Sequence, residues 1–148
     1  MHYRLVAAVE SDEAWLEMLR RDVYRELFQA TWGGWDEERH LRHFSECIDQ
    51  GHISIMQADD ERIGMIQLFE ESHAVIVGEI QVQSSDQNRG VGTRVLRDVI
   101  AAAHSRRKSV RLSVALKNDR AFRLYERLGF RPTGRSDTHN HMECAPCT

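Results

Sequence analysis

The stretch Gln87-Asn88-Arg89-Gly90-Val91-Gly92-Thr93 decides how this chain reads. A strand-like run, Ile80-Gln81-Val82, ends just before it, and a helix-patterned segment, Val91 to His104, begins within it. Strand, glycine turn and helix start in that order make an anion cradle. Glycines let the backbone approach a ligand closely, and the first N–H groups of a helix have no partners inside the helix. A phosphate placed there meets free donors and the positive end of the helix dipole. The stretch therefore implies a ligand that carries phosphate.

Spacing excludes two common ligands. A dinucleotide fingerprint needs a glycine or alanine three residues after Gly92, and that position is Val95. A P-loop needs Gly-Lys-Ser/Thr after a four-residue gap, and the chain has none. What stands here is Gln-x-x-Gly-x-Gly. Taken alone it also fits a plain tight turn, but it resembles the acyl-CoA pyrophosphate loop of the GNAT family of N-acetyltransferases.

A second segment supports the resemblance. Asn118 to Phe130 reads Asn-Asp-Arg-Ala-Phe-Arg-Leu-Tyr-Glu-Arg-Leu-Gly-Phe. Asn118 or Asp119 can cap a helix whose Ala121, Leu124, Tyr125 and Leu128 share one face. Gly129 suits the helix C-terminus, Phe130 can fold back on it, and Pro132 prevents the helix from resuming. The GNAT family has an Asn, a small residue and Leu-Tyr-x-x-x-Gly-Phe at this distance after the first motif. The resemblance is specific over Val75 to Phe130 and looser elsewhere.

Working outward, the 148 residues correspond to about one domain, expected over 1–148. Hydrophobic residues at 41% and charged residues at 29% suit a globular chain. A net charge of −3, with both signs interspersed, argues against a nucleic-acid partner. Apolar runs fall short of the roughly 20 residues a membrane span needs, so no membrane partner is expected. Met1-His2-Tyr3-Arg4 lacks a secretory pattern, and three cysteines without one suggest a reducing cytoplasm.

Periodicity predicts a strand at Tyr3–Val9. A helix capped by Ser11 or Asp12 follows, with Trp15, Leu19, Val23 and Leu27 on one stripe. Thr31 to Trp35 reads as a glycine-broken loop, and a second helix begins at Asp36 with stripe Leu41, Phe44 and Ile48 and ends at Gly51. Ile53–Ala58 and Ile63–Phe69 read as a hairpin around the polar turn Asp59 to Arg62, and Ala74–Val82 as the next strand. After the glycine-loop helix, Val110, Leu112, Val114 and Leu116 alternate with polar or small residues, and a last strand is expected near Asp137 to Glu143. The order β-α-α-β-β-β-α-β-α-β matches what the resemblance implies: an α/β single-domain acyl-CoA N-acyltransferase fold, with a mixed, mostly antiparallel sheet flanked by helices.

The resemblance also implies chemistry. The family moves an acetyl group from acetyl-CoA to an amine by direct attack on the thioester. Tyr125 stands where the family's proton-donating tyrosine stands, and a phenol with a pKa of about 10 can protonate a leaving thiolate. Packing within the helix stripe is its alternative role. The pantetheine arm is expected along Ile80, Gln81 and Val82 like an added strand. The pyrophosphate is expected on Gln87, Asn88, Arg89, Gly90, Val91, Gly92 and Thr93, with Asn118 as a further cofactor contact or only a helix cap. Some relatives carry a glutamate on the strand after the cofactor helix; Ser113 stands here, and Glu79 is the substitute base, with Glu70, Glu71, His139 and His141 as rivals.

For the acceptor, Trp32, Trp35 and Asp36 are the candidates, suited to a cationic or aromatic amine, with His139 at the far end of the chain. The Trp-Gly-Gly-Trp-Asp-Glu run and Thr138-His139-Asn140-His141-Met142 resemble one branch of the family; the tryptophans can equally finish a core. His139, His141, Cys144 and Cys147 include a Cys-x-x-Cys pair, but it lies in the last few residues, and no metal is expected. The expected partner is a small-molecule amine rather than a protein, and a homodimer is compatible with the chain. Two other readings remain at this stage, a non-catalytic acyl-CoA sensor and a nucleotide-binding regulator. If the cradle binds the donor, Gly92→Leu should weaken acetyl-CoA binding by about tenfold or more, measured by isothermal titration.

Overall fold

The computed structural model describes residues 2–87 and 89–147. The elements are β1 (Arg4–Ala7), α1 (Glu13–Trp32), α2 (Glu37–Gln50), β2 (Ile53–Ala58), β3 (Glu61–Glu70), β4 (Ala74–Val82), α3 (Val91–Ser105), β5 (Ser109–Ala115), α4 (Asp119–Arg127), β6 (Arg131–Arg135) and β7 (His139–Cys144). The strands form one sheet in the order β1-β2-β3-β4-β5-β7-β6. Pairs β1–β2, β2–β3, β5–β7 and β6–β7 are antiparallel, and β4–β5 is parallel. Contacts divide the chain into two compact units. One holds the residues up to Gln67 together with Glu79–Val91; the other holds Leu68–Gly78 and the residues from Gly92 onward.

In the first unit, α1 and α2 bury one stripe each against β2 and β3. Leu16, Leu19, Cys47, Ile53, Ile55 and Met65 form the buried cluster, with Trp15, Val23, Phe44 and Ile48 packed around it. Each fully buried aliphatic side chain contributes about 1.5–3 kcal/mol. Burial pushes the Cys47 thiol up to about 11. Gln67 is buried among these residues because its amide is satisfied: Nε2 donates to Cys47 O at 3.0 Å and Gly51 O at 2.8 Å. The β2–β3 turn uses Asp59 and Asp60 at φ 52° and 63°, the left-handed pair that a two-residue hairpin needs. At Gly64, β3 runs so close to β4 that an added Cβ would lie 2.4 Å from Gln81 O and 3.2 Å from Val82 Cα.

In the second unit, β4 pairs with β5 from Ala74–Ser109 to Val77–Leu112. Beyond Leu112, β5 continues its ladder with β7, pairing Ser113 with His141 and Ala115 with His139. Val110, Leu112 and Val114 are buried and Arg111 and Ser113 exposed, as the period-two pattern requires. α4 ends on Gly129 at φ 104°, and Phe130, fully buried, returns its N–H to Tyr125 O at 3.0 Å.

Three expectations are corrected. β6 was not anticipated, because all five of its residues are exposed and Pro132 and Gly134 break the strand pattern; such a strand is tolerated only at a sheet edge. Leu41 is 46% exposed, and His40 and Cys47 take the buried face of α2 instead. α1 continues through Trp32, so only Gly33 to Asp36 separate it from α2, with Gly33 left-handed at φ 77°.

Gly64→Ala should cost about 1–3 kcal/mol because the clash is with backbone that cannot rotate away. Chemical denaturation compared with wild type would measure it, and an unchanged midpoint would refute the close approach.

Candidate functional site

In the first unit, β4 ends in a network around Glu79. Glu79 Oε1 accepts from Arg20 Nη1 at 3.3 Å; Oε2 accepts from Tyr24 Oη at 2.8 Å and Gln81 Nε2 at 3.4 Å. Arg20 is 5% exposed, stacks on the Tyr24 ring at 4.6 Å and reaches His43 Nδ1 at 3.5 Å. Burial and the Arg20 charge hold His43 below the usual imidazole value. A buried guanidinium must be paired, and Glu79 pairs it. Glu79 thus accepts three hydrogen bonds through its two oxygens and is the counter-charge of buried Arg20.

The loop after β4 is braced by side chains. Ser84 donates from N and Oγ to Asp22 at 2.8 and 2.7 Å. Asp86, buried, accepts from Gln83, Ser85 and, at 3.1 Å, Arg89 Nη1. Gln87 Nε2 donates to Val82 O at 2.8 Å, tying the loop to the strand end. Gly90 is left-handed at φ 80° with open space on its Cβ side, and α3 begins at the next residue. The turn therefore leads directly into a helix start, where the first N–H groups of a helix lack helical partners, which fits a diphosphate. Asn88 lies outside the described residues. Arg89, expected to face phosphate, spends one nitrogen on Asp86 while its side chain stays 59% exposed.

Trp32, Trp35 and Asp36 all have internal partners. The Arg39 guanidinium lies 4.2 Å over Trp32 and Arg21 5.9 Å over Trp35. Phe28 stacks on Trp35 at 4.6 Å and meets Trp32 edge-on at 4.7 Å. Trp35 Nε1 donates to Glu37 at 2.9 Å, and Asp36 caps α2 by accepting from Arg39 N at 3.0 Å. The aromatic faces thus already carry cations, from arginines whose position the spacing did not reveal.

In the second unit, Gly92 and Thr93 lie in the first turn of α3, both half-buried. Asn118 caps α4, its Oδ1 accepting from Ala121 N at 3.3 Å. Tyr125 is 9% exposed, with its ring 5.8 Å from Phe130. His139 opens β7 beside the β6–β7 turn: its Nδ1 meets Thr138 Oγ1 at 2.8 Å and its N–H donates to Ser136 Oγ at 3.1 Å. An open pocket of about 390 Å³ is lined by Ile76, Gly78, Arg111, Ser113, Thr133 and His141, among others. Within it, Ser113 Oγ and His141 Nδ1 are 2.7 Å apart. No metal-binding cluster of His, Cys, Asp and Glu occurs among the described residues.

The model of the Acetyltransferase (GNAT) family matches residues 20–130. The chain belongs to this family. It is an acetyltransferase, and its sheet and four helices form the family's N-acyltransferase fold. The structure is similar to PaiA N-acetyltransferase from Thermoplasma acidophilum in complex with coenzyme A, at TM-score 0.75 and 17% identity over 98% of this chain and 99% of that one. It is also similar to the ribosomal-protein-S18-alanine N-acetyltransferase from Escherichia coli, at TM-score 0.70, 15% identity and coverage of 99% and 96%. A spermidine N-acetyltransferase SpeG chimera from Vibrio cholerae and hSSAT matches at TM-score 0.65, 16% identity and coverage of 98% and 96%. No curated protein sequence matches the chain.

Sequence reasoning missed Arg20, Tyr24, Asp22 and Asp86. Arg20 and Tyr24 hold Glu79, Asp86 holds Arg89, and Asp22 braces the loop through Ser84; only Asp86, next to the motif, left a local signal. The charged pairs have a pH signature. Hydrogen bonds from Arg21 hold Glu37 at about 2, and those from Arg106 and Lys108 hold Glu70 at about 2, both below the ordinary 4.5. A depressed carboxylate stabilises the fold above 4.5 and loses that contribution as pH falls from 4.5 toward 2. The unfolding temperature should fall over that interval, modestly because both groups are exposed. Glu70→Gln should make the fall shallower in scanning calorimetry; an unchanged slope would discount the pair.

Proposed function

We propose that this chain transfers an acetyl group from acetyl-CoA to a primary amine, on a small molecule rather than a protein, by direct attack in the cytoplasm. The observation that carries the reading is the braced strand–loop–helix segment from Ile80 to Thr93, with Gly90 left-handed immediately before α3. In this reading the backbone of Ile80, Gln81 and Val82 holds the pantetheine arm. The N–H groups from Arg89 to Thr93 hold the diphosphate, with Asn118 as a further contact through its amide nitrogen. Tyr125 donates a proton to the departing thiolate.

A pocket of about 390 Å³ has the size of a small-molecule site and supports a small acceptor. Cys47, Cys144 and Cys147 are unpaired, which suits a reducing compartment. Glu79 remains a candidate base, with its pairing to buried Arg20 as a competing duty. The second reading, a non-catalytic acyl-CoA sensor, is favoured by Ser113 at the position where some relatives carry a glutamate.

Isothermal titration should give acetyl-CoA a dissociation constant on the order of micromolar, with ATP and NAD silent. No binding would overturn the reading, whereas binding without CoA release from any amine would favour the sensor. Tyr125→Phe should lower turnover by roughly a hundredfold with donor affinity nearly intact; an unaffected rate would remove its acid role.

A further inference from the structure

We infer that His141 is the group that takes the proton from the acceptor amine, and that Ser113 is its positioning residue. The inference rests on the acetyl-transfer reading above. A protonated amine has no lone pair, so something at the acceptor must accept its proton before the C–N bond can form. Ser113 leaves β5 without a carboxylate for this, and Glu79 has both oxygens engaged.

The exposed face of β5 and β7 supplies the alternative. Ser113 and His141 are directly paired across the ladder, so their side chains rise from the same face side by side. Their 2.7 Å contact uses Nδ1, leaving Nε2 as the ring nitrogen that can meet a substrate. Both residues line the open pocket, whose rim at Gly78 carries no side chain. Backbone pairing with β5 and β6 holds the base, so its position does not depend on a loop.

The surrounding charges are accounted for. On β5, Arg111 is paired with Glu143 of β7 at 3.0 Å. Arg131 of β6 is opposite Glu143, and Arg135 is opposite Asn140. His139 is bound to Thr138 in the β6–β7 turn, and β4 contributes only Ile76, Val77 and Gly78 to the pocket. No carboxylate is bonded to His141 among the described residues.

The ammonium gives a proton to His141 Nε2, and the freed lone pair forms the C–N bond to the acetyl carbon. The C–S bond then breaks, the thiolate leaves and takes a proton from Tyr125, the nitrogen releases its second proton to become the amide and so replaces the tyrosine proton through solvent, and the imidazolium returns its proton to solvent. The role requires the tautomer in which Nδ1–H donates to Ser113 Oγ.

The test combines kinetics and NMR on the intact chain. CoA release from acetyl-CoA is followed with a panel of primary amines, and the best amine is used for pH profiles. His141→Gln should lower kcat/KM roughly a hundredfold and abolish the acidic limb of its pH profile, while acetyl-CoA affinity holds. Ser113→Ala should lower kcat/KM by about tenfold and shift His141 toward the Nε2–H tautomer in nitrogen-15 spectra. Ser113→Thr, which keeps the hydroxyl, should restore both.

An acidic limb retained in a folded His141→Gln enzyme overturns the inference and leaves the acetyl-transfer reading standing. Failure of wild type to release CoA with any amine overturns that reading and the inference with it. If His141→Gln does not fold, wild-type spectra with His141 fixed as Nε2–H overturn the base role on their own.

Discussion

Four parallel backbone pairs, Ala74–Ser109 to Val77–Leu112, are the constraint on which the rest of the chain depends. Two parallel strands cannot be joined by a tight turn; the chain must cross over through a dozen or more residues. α3, at 15 residues, is that crossover. It closes with Lys108 N bonded to Ala103 O at 2.9 Å and Ser109 N to His73 O at 3.0 Å, which delivers β5 alongside the start of β4. The loop between β4 and α3 then falls at the carboxyl end of a strand, where α/β sheets collect their ligands. Glycine is needed there because the backbone must reverse into the helix through a left-handed residue, Gly90.

Charge in the first unit is spent on the protein itself. Arg20 is buried and neutralised by Glu79, Arg21 is shared between Glu17 and Glu37, and Arg39 covers Trp32 while bonding Asp36. A buried or half-buried cation without a partner is costly, so each of these acids has a structural duty. Ser113 and His141 differ. They are exposed, joined to each other, and open to a pocket. Groups free to exchange partners are the ones that can serve a substrate.

Local patterns were legible where one short-range rule decides. The strand ranges Ile53–Ala58 and Ala74–Val82 follow from apolar runs between turns. The start of α3 at Val91 and the caps Asp36 and Asn118 follow from side-chain chemistry within four residues. β6 was not legible, because an edge strand buries nothing and so carries no hydrophobic signature. The partners of the two tryptophans were not legible either. Trp32 and Trp35 read as open aromatic surfaces, and only the hairpin of α1 and α2 brings Arg39 and Arg21 over them.

The sequence by itself determined the order of elements apart from β6, the glycine turn at Gly90 before α3, and the family through two motifs at fixed spacing. These rest on interactions between residues close in the chain, so a local pattern reports them. Tertiary structure alone decided which groups have partners. Glu79 meets an arginine from α1, 59 positions away, and His141 meets a serine 28 positions before it because antiparallel register puts them opposite. Pairing across such distances is set by strand register and helix docking, and neither is written in local composition.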